Sequence, residues 1–270
     1  MDPQLLSAQE KPLEMELFVF HRDQDTNHQC ISGGAAGIVI DLESKGKWER
    51  QNGHDTEINF HSTQDIRDLK SAGSAYVICR CNAINSNSEI ELNEIIAAGA
   101  DEILIPMIST LDEVDFAKNI ISNRCDISLM IETPQAIELL DVLDNHSFKR
   151  FFVGLNDLRI ARQEPSIFHP VQKGILNTIR SKVKHTSLGF GGLTLPGHGH
   201  PIPVELFMEE MHRLSIDFTF LRRSFYRDME GKSFTEGIQQ IKLAYDQMKV
   251  SKSNLFYSRI DEIIGVDETV

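Results

Sequence analysis

Short apolar runs alternate with amphipathic stretches along most of the chain. Eight runs read as strands, over residues 17–20, 37–41, 75–80, 102–106, 127–131, 151–155, 187–191 and 218–222. They are rich in Ile, Val, Leu and Phe and lack strict polar alternation, as expected of parallel strands buried on both faces. Helix signals fill the gaps between them. Thr110-x-x-Glu113 is a capping box, with Val114, Ala117, Ile120 and Ile121 behind it at helical spacing. Ser88-x-x-Glu91 opens a second helix that Gly99 is placed to end. Thr133-Pro134 supplies an N-cap and a first-turn proline, followed by Ile137, Leu140 and Leu143. Pro203 begins another helix, running through Arg213.

No change of composition, low-complexity stretch or repeat divides this series. Eight β/α units therefore predict one (β/α)8 TIM barrel over residues 1–270. Phe256, Ile260, Ile263 and Ile264 fall at i, i+4, i+7 and i+8. That spacing predicts an additional C-terminal helix within 251–270, with its own barrel or a neighbouring subunit as the surface it covers.

Composition agrees with this architecture. A length of 270 residues suits a single barrel, which typically takes about 250. With 41% hydrophobic and 25% charged residues, the chain has material for a large core. Lys+Arg number 27 against 40 Asp+Glu, a net charge of −13, which argues against binding a nucleic-acid backbone. No run approaches the roughly 18 apolar residues that cross a bilayer. The first residues lack a basic region followed by an apolar core, so a cytoplasmic protein is expected. Four cysteines without a CxxC pair fit a reducing compartment, and Cys79 and Cys81 share one strand face as buried thiols.

Barrel active sites form at the C-terminal ends of the strands. There the sequence places Asp41 and Glu43, Arg80 and Asn82, Glu132, and Asp157. Glu132 and Asp157 follow adjacent strands, about 4.8 Å apart, so both carboxylates can reach one point. Two such acids suit Mg²⁺ or Mn²⁺, and they equally suit the capping of two helix starts. Arg80 fits either an oxyanion stabiliser or an ion pair with Asp41 or Glu43. In the segment 189–203 (GFGGLTLPGHGHPIP), Gly191 and Gly192 are candidates to bring backbone N–H groups to a substrate anion. Arg222, with Arg223 beside it, is a further candidate for substrate binding.

The stretches GIVIDLES, VICRCN, AAGADEILIPMISTLDEV, LMIETPQAI and FFVGLNDL run in order from Gly37 to Leu158. In them the chain resembles the HpcH/HpaI aldolase and citrate lyase β-subunit family. The resemblance implies a barrel acting on pyruvate-like 2-oxo acids or, in some branches, acyl-CoA thioesters. Glu132 and Asp157 would be metal ligands for Mg²⁺ or Mn²⁺, and Arg80 would steady the enolate oxygen. It also implies a homo-oligomer that exchanges a C-terminal helix. Two positions depart from the family pattern. Ser44 stands where a histidine or aspartate follows D-x-E, leaving the base to be found among His21, His198 and His200; His21, at the end of the first strand, is the candidate assigned the catalytic role. GLNDL replaces GPxDL. The expected function is a metal-dependent carbon–carbon lyase. Its alternatives are a relative acting on a phosphorylated enol acid or acyl-CoA, and a silent metabolite-binding barrel.

Overall fold

The computed structural model describes residues 15–44, 61–73, 75–248 and 255–267. Eight parallel strands hydrogen-bond in chain order and close on themselves. They are β1 (Glu16–Val19), β2 (Gly37–Asp41), β3 (Val77–Arg80), β4 (Glu102–Ile105), β5 (Asp126–Ile131), β6 (Arg150–Val153), β7 (Ser187–Phe190) and β8 (Phe218–Phe220). Twelve helices lie among the described residues: α1 (Gln24–Ser32), α2 (Thr63–Ala72), α3 (Ser88–Ala98), α4 (Leu111–Ile121), α5 (Pro134–Leu143), α6 (Leu155–Ala161), α7 (Phe168–Gln172), α8 (Ile175–Lys182), α9 (Val204–Arg213), α10 (Arg223–Asp228), α11 (Phe234–Asp246) and α12 (Leu255–Asp267). None of the described helices is long and apolar enough to cross a membrane.

Strand periodicity sorts the side chains into two cores. Phe18, Val39, Ile78, Leu104, Met130, Phe152, Phe218 and Phe220 point inward and fill the barrel. Their sequence neighbours, such as Val19, Ile40, Cys79, Ile105 and Ile131, point outward against the helices. Cys79 and Cys81 are buried free thiols on that outer face. Four inward phenyl rings need room, and Gly189 leaves it: a Cβ there would stand 2.6 Å from the Phe218 ring.

Several helix starts follow their local signals. Thr110 accepts from the N–H of Glu113 at 3.3 Å, and Glu113 accepts from the N–H of Thr110 at 3.0 Å. Thr133 accepts from the N–H of Ala136 at 3.0 Å, with Pro134 opening α5. Helix α3 opens at Ser88 and is ended by Gly99 as expected, with its own contacts at the start. Its N-cap is Asn87, while Ser88 accepts from the N–H of Asn85 at 2.8 Å. The Glu91 carboxylate is turned to Asn82, from which it accepts a backbone N–H at 2.9 Å and a side-chain N–H at 2.7 Å.

The N-terminal end of the barrel is closed by charge. Arg150 on β6 pairs with the buried Glu102 and, at 2.8 Å, with Glu16. Its guanidinium lies over the rings of Phe18 (4.8 Å), Tyr76 (5.5 Å) and Phe218 (5.6 Å). The helix predicted at the C-terminus is present as α12 and covers its own barrel. Phe256, Ile260 and Ile264 are buried, and the Phe256 ring meets Phe207 of α9 edge-on at 5.3 Å.

Candidate active site

A cavity of about 590 Å³ opens at the C-terminal mouth of the barrel. Arg80, Glu132, Asp157, Gly191, Gly192 and Arg222 all line it, so the fold brings these sequence-predicted residues together. His21, the expected base, is not among the lining residues. Its ring packs near Tyr226 (4.9 Å) and Phe234 (6.4 Å), and its Nδ1 accepts from the N–H of Asp23 at 3.1 Å. Burial lowers its proton affinity, with Asp23 opposing. Strand β1 ends at Val19, and the two residues after it bring the His21 ring against Tyr226 of α10 and Phe234 of α11. Of the other histidines considered, His200 lines the cavity, whereas His198 stands 3.7 Å from Asp228. Ser44 is exposed, with its backbone N–H given to Asn82.

Glu132 directly follows β5 and is 2% exposed. Thr133 takes the N-cap of α5, so Glu132 is free of that task. Its Oε1 accepts from the N–H of Met107 at 2.9 Å. Met107 holds φ at 58°, a left-handed conformation costly for a side chain with a Cβ, and that turn aims the N–H. Its carboxylate also fills a hollow left by Gly154, where a Cβ would stand 2.4 Å from Oε2. Asp157 stands in the first turn of α6, whose N-cap is Gly154. Burial raises the proton affinity of Glu132 well above the carboxylate norm; Asp157 and Glu43 add to this, and Arg80 opposes it.

Arg80 ends β3 directly opposite Asp41 on β2. Its Nε and Nη2 donate to the two Asp41 oxygens at 2.9 and 2.7 Å, and Nη1 lies 3.3 Å from Glu43. Burial works against the charge of Arg80, but Asp41 and Glu43 override it, so the guanidinium stays ionised. The ion pair and the place in the cavity are thus both present. The carboxylates hold the guanidinium in a fixed plane at the mouth. Behind Asp41, His61 accepts the Asp41 N–H at 2.8 Å through Nδ1. Neither Met107 nor His61 carries a sequence signature: one acts through its backbone, and the other sits 20 residues beyond its partner.

On the opposite wall, Arg222 donates from Nε to the Gly192 carbonyl at 3.0 Å and lies 5.1 Å over the Phe207 ring. Met130, Phe152 and Leu221 supply apolar surface between the two walls. Among the described residues no cluster of three or more His, Cys, Asp and Glu is arranged to hold a metal. Glu132 and Asp157 offer two carboxylates. That donor set fits a hard cation that keeps water or substrate oxygens in its remaining positions.

The sequence matches no family profile. It also matches no curated protein. Solved structures resemble it in fold. An HpcH/HpaI aldolase from Desulfitobacterium hafniense DCB-2 superposes with a TM-score of 0.56 at 12% identity, over 85% of this chain and 93% of that one. Macrophomate synthase gives 0.55 at 14% identity, over 88% and 86%. The α subunit of tryptophan synthase from Legionella pneumophila gives 0.56 at 11% identity, over 86% and 93%. These likenesses establish a (β/α)8 barrel of the kind seen in an HpcH/HpaI aldolase. The α subunit of tryptophan synthase is matched equally well, so the fold does not fix the chemistry.

Proposed function

We propose that this protein is a divalent-cation-dependent carbon–carbon lyase acting through the enolate of a 2-oxo acid. The observation that carries the reading is the convergence of Glu132, Asp157 and Arg80 on one cavity at the C-terminal mouth of the barrel. Glu132 and Asp157 would hold Mg²⁺ or Mn²⁺, which when bound supplies Lewis acidity toward the carboxylate and keto oxygens of the substrate. The Met107 N–H and the hollow at Gly154 fix Glu132 for that task. Arg80, already oriented by Asp41, places positive charge where an enolate oxygen develops. A fixed cation of this kind pays no reorganisation as charge builds up. His200 is the cavity-lining histidine available to move the proton that bond cleavage requires. The apolar floor of Met130 and Phe152 limits water around the carbanion.

Incubation with pyruvate and Mg²⁺ or Mn²⁺ in D₂O tests the reading without knowledge of the second substrate. Deuteration of the methyl group, followed by NMR, is expected to be abolished by chelator. It is expected to fall about 10²-fold or more in Glu132→Gln, as loss of a principal electrostatic contact does. Arg80→Lys, which keeps a charge beside the buried Asp41, should slow exchange while the fold persists. Exchange indifferent to chelator and to Glu132→Gln would overturn the assignment.

A further inference from the structure

The cavity contains a half-buried cation that the fold leaves uncompensated. The two most enclosed arginines have carboxylates in contact: Arg80 has Asp41 and Glu43, and Arg150 has Glu102 and Glu16. Arg222 has none within ion-pair distance among the described residues. Its Nε is committed to the Gly192 carbonyl, and its Cζ rests over Phe207, so the plane of the guanidinium is set. Nη1 and Nη2 make no hydrogen bond to any described residue. Asp228, the carboxylate that acts on it through space, is bonded to the Thr194 hydroxyl at 2.6 Å. Burial outweighs Asp228 and lowers the proton affinity of Arg222, the reverse of what happens at Arg80.

Enclosing a guanidinium without a partner is unfavourable, and an arriving anion offsets the cost. The free edge of Arg222 is its two-nitrogen end, which matches two oxygens of a carboxylate or phosphate. Strand β8 lies three strands from β5, so Arg222 faces Glu132 from across the mouth. A methyl ketone acid such as pyruvate, held at Glu132 and Asp157, would leave this far wall untouched. We propose that Arg222 is a second anion site, and that the substrate carries a carboxylate or phosphate at the end remote from its 2-oxo acid head. The position of the head rests on the function proposed above; the anion site itself does not.

Three ligands of one chain length test this: 2-oxovalerate, 2-oxoglutarate and 2-oxo-4-phosphonobutyrate. Calorimetric titration in the presence of Mg²⁺ reads binding whether or not turnover occurs. The dianions are expected to bind at least about tenfold more tightly than 2-oxovalerate, the worth of one charge-assisted bidentate contact. In Arg222→Met that preference should fall to within about threefold, and in Arg222→Lys it should be intermediate, because charge remains but the fork is lost. The stronger of the two dianions identifies carboxylate or phosphate as the natural group. Thermal unfolding of both variants establishes that they fold. An equal loss of affinity for all three ligands in both variants would mean that Arg222 only supports the wall, and would overturn the proposal. An unchanged preference would overturn it as well. Failure of the head reading looks different: wild-type protein would still prefer dianions in the titration but would show no deuterium exchange with any of the three.

Discussion

At the scale of single residues, the buried Glu132 carboxyl links the site to stability. Burial and the nearby Asp157 raise its proton affinity in the folded chain above the ordinary value of 4.5. The folded state therefore holds the proton more tightly than the unfolded state does. This contribution is fully present below pH 4.5 and is lost as pH rises through the elevated folded value. In cation-free protein the melting temperature should accordingly fall as pH is raised through neutrality. Glu132→Gln, which cannot ionise, should flatten that slope and exceed wild type in stability at the alkaline end. Identical slopes in the two proteins, followed by circular dichroism, would show that Glu132 is not the group responsible. Residues of this kind were legible because barrel connectivity sends whatever follows a strand to the rim. Met107 was not, since it contributes a backbone N–H aimed by a positive φ that only the folded chain reveals. The preference of Arg80 for Asp41 was open in the sequence and is decided by the β2–β3 register.

At the scale of elements, the strands were legible because each is a continuous apolar run. Their ends were less so. Residues 151–155 read as one run, yet β6 stops at Val153 and Leu155 already belongs to α6. The break at Gly154 is what the site needs, since it turns the chain and leaves the space that the Glu132 carboxylate occupies. The backbone there is ordinary, with φ at −87°, so an alanine meets no conformational strain of its own. Its Cβ would still stand 2.4 Å from Oε2 and 2.7 Å from Cβ of Glu132. Gly154→Ala should therefore push the carboxylate out of place, and a misplacement of about 1 Å costs on the order of 10²-fold in rate. The check is the deuterium exchange rate alongside Mg²⁺ affinity, both of which should fall while the far-ultraviolet spectrum is retained. The helix expected from Ser88 to Gly99 is present, but the partner of Glu91 could not be read from the segment itself. Asn82, arriving from the end of β3, competes for the Glu91 carboxylate, and no local pattern announces a partner from another element.

At the scale of the whole molecule, the barrel separates a sealed end from an open one that carries the candidate site. Arg150, Glu102, Glu16 and Tyr76 close the N-terminal end, while Glu132, Asp157 and Arg80 line the mouth. Four residue steps along β6 separate Arg150 from Gly154, roughly 13 Å of extended chain, filled across by the inward phenyl rings. Both ends use buried charge, but with opposite consequences. At the sealed end every charge is matched within the fold, and Arg150→Met would leave Glu102 enclosed without its cation. A cost of about 3–5 kcal/mol follows, and Arg150→Met/Glu102→Leu should recover most of it. At the mouth, two carboxylates crowd together and Arg222 faces them unmatched, so that part of the charge balance is left to what binds. Sites more than about 7–10 Å apart with no shared partner usually behave additively. Denaturant titration of Arg150→Met, Glu132→Gln and the double variant should therefore show stability changes that sum to within about 0.5 kcal/mol. A larger coupling would mean that the aromatic layers transmit strain from one end to the other, and that the sealed end takes part in shaping the site.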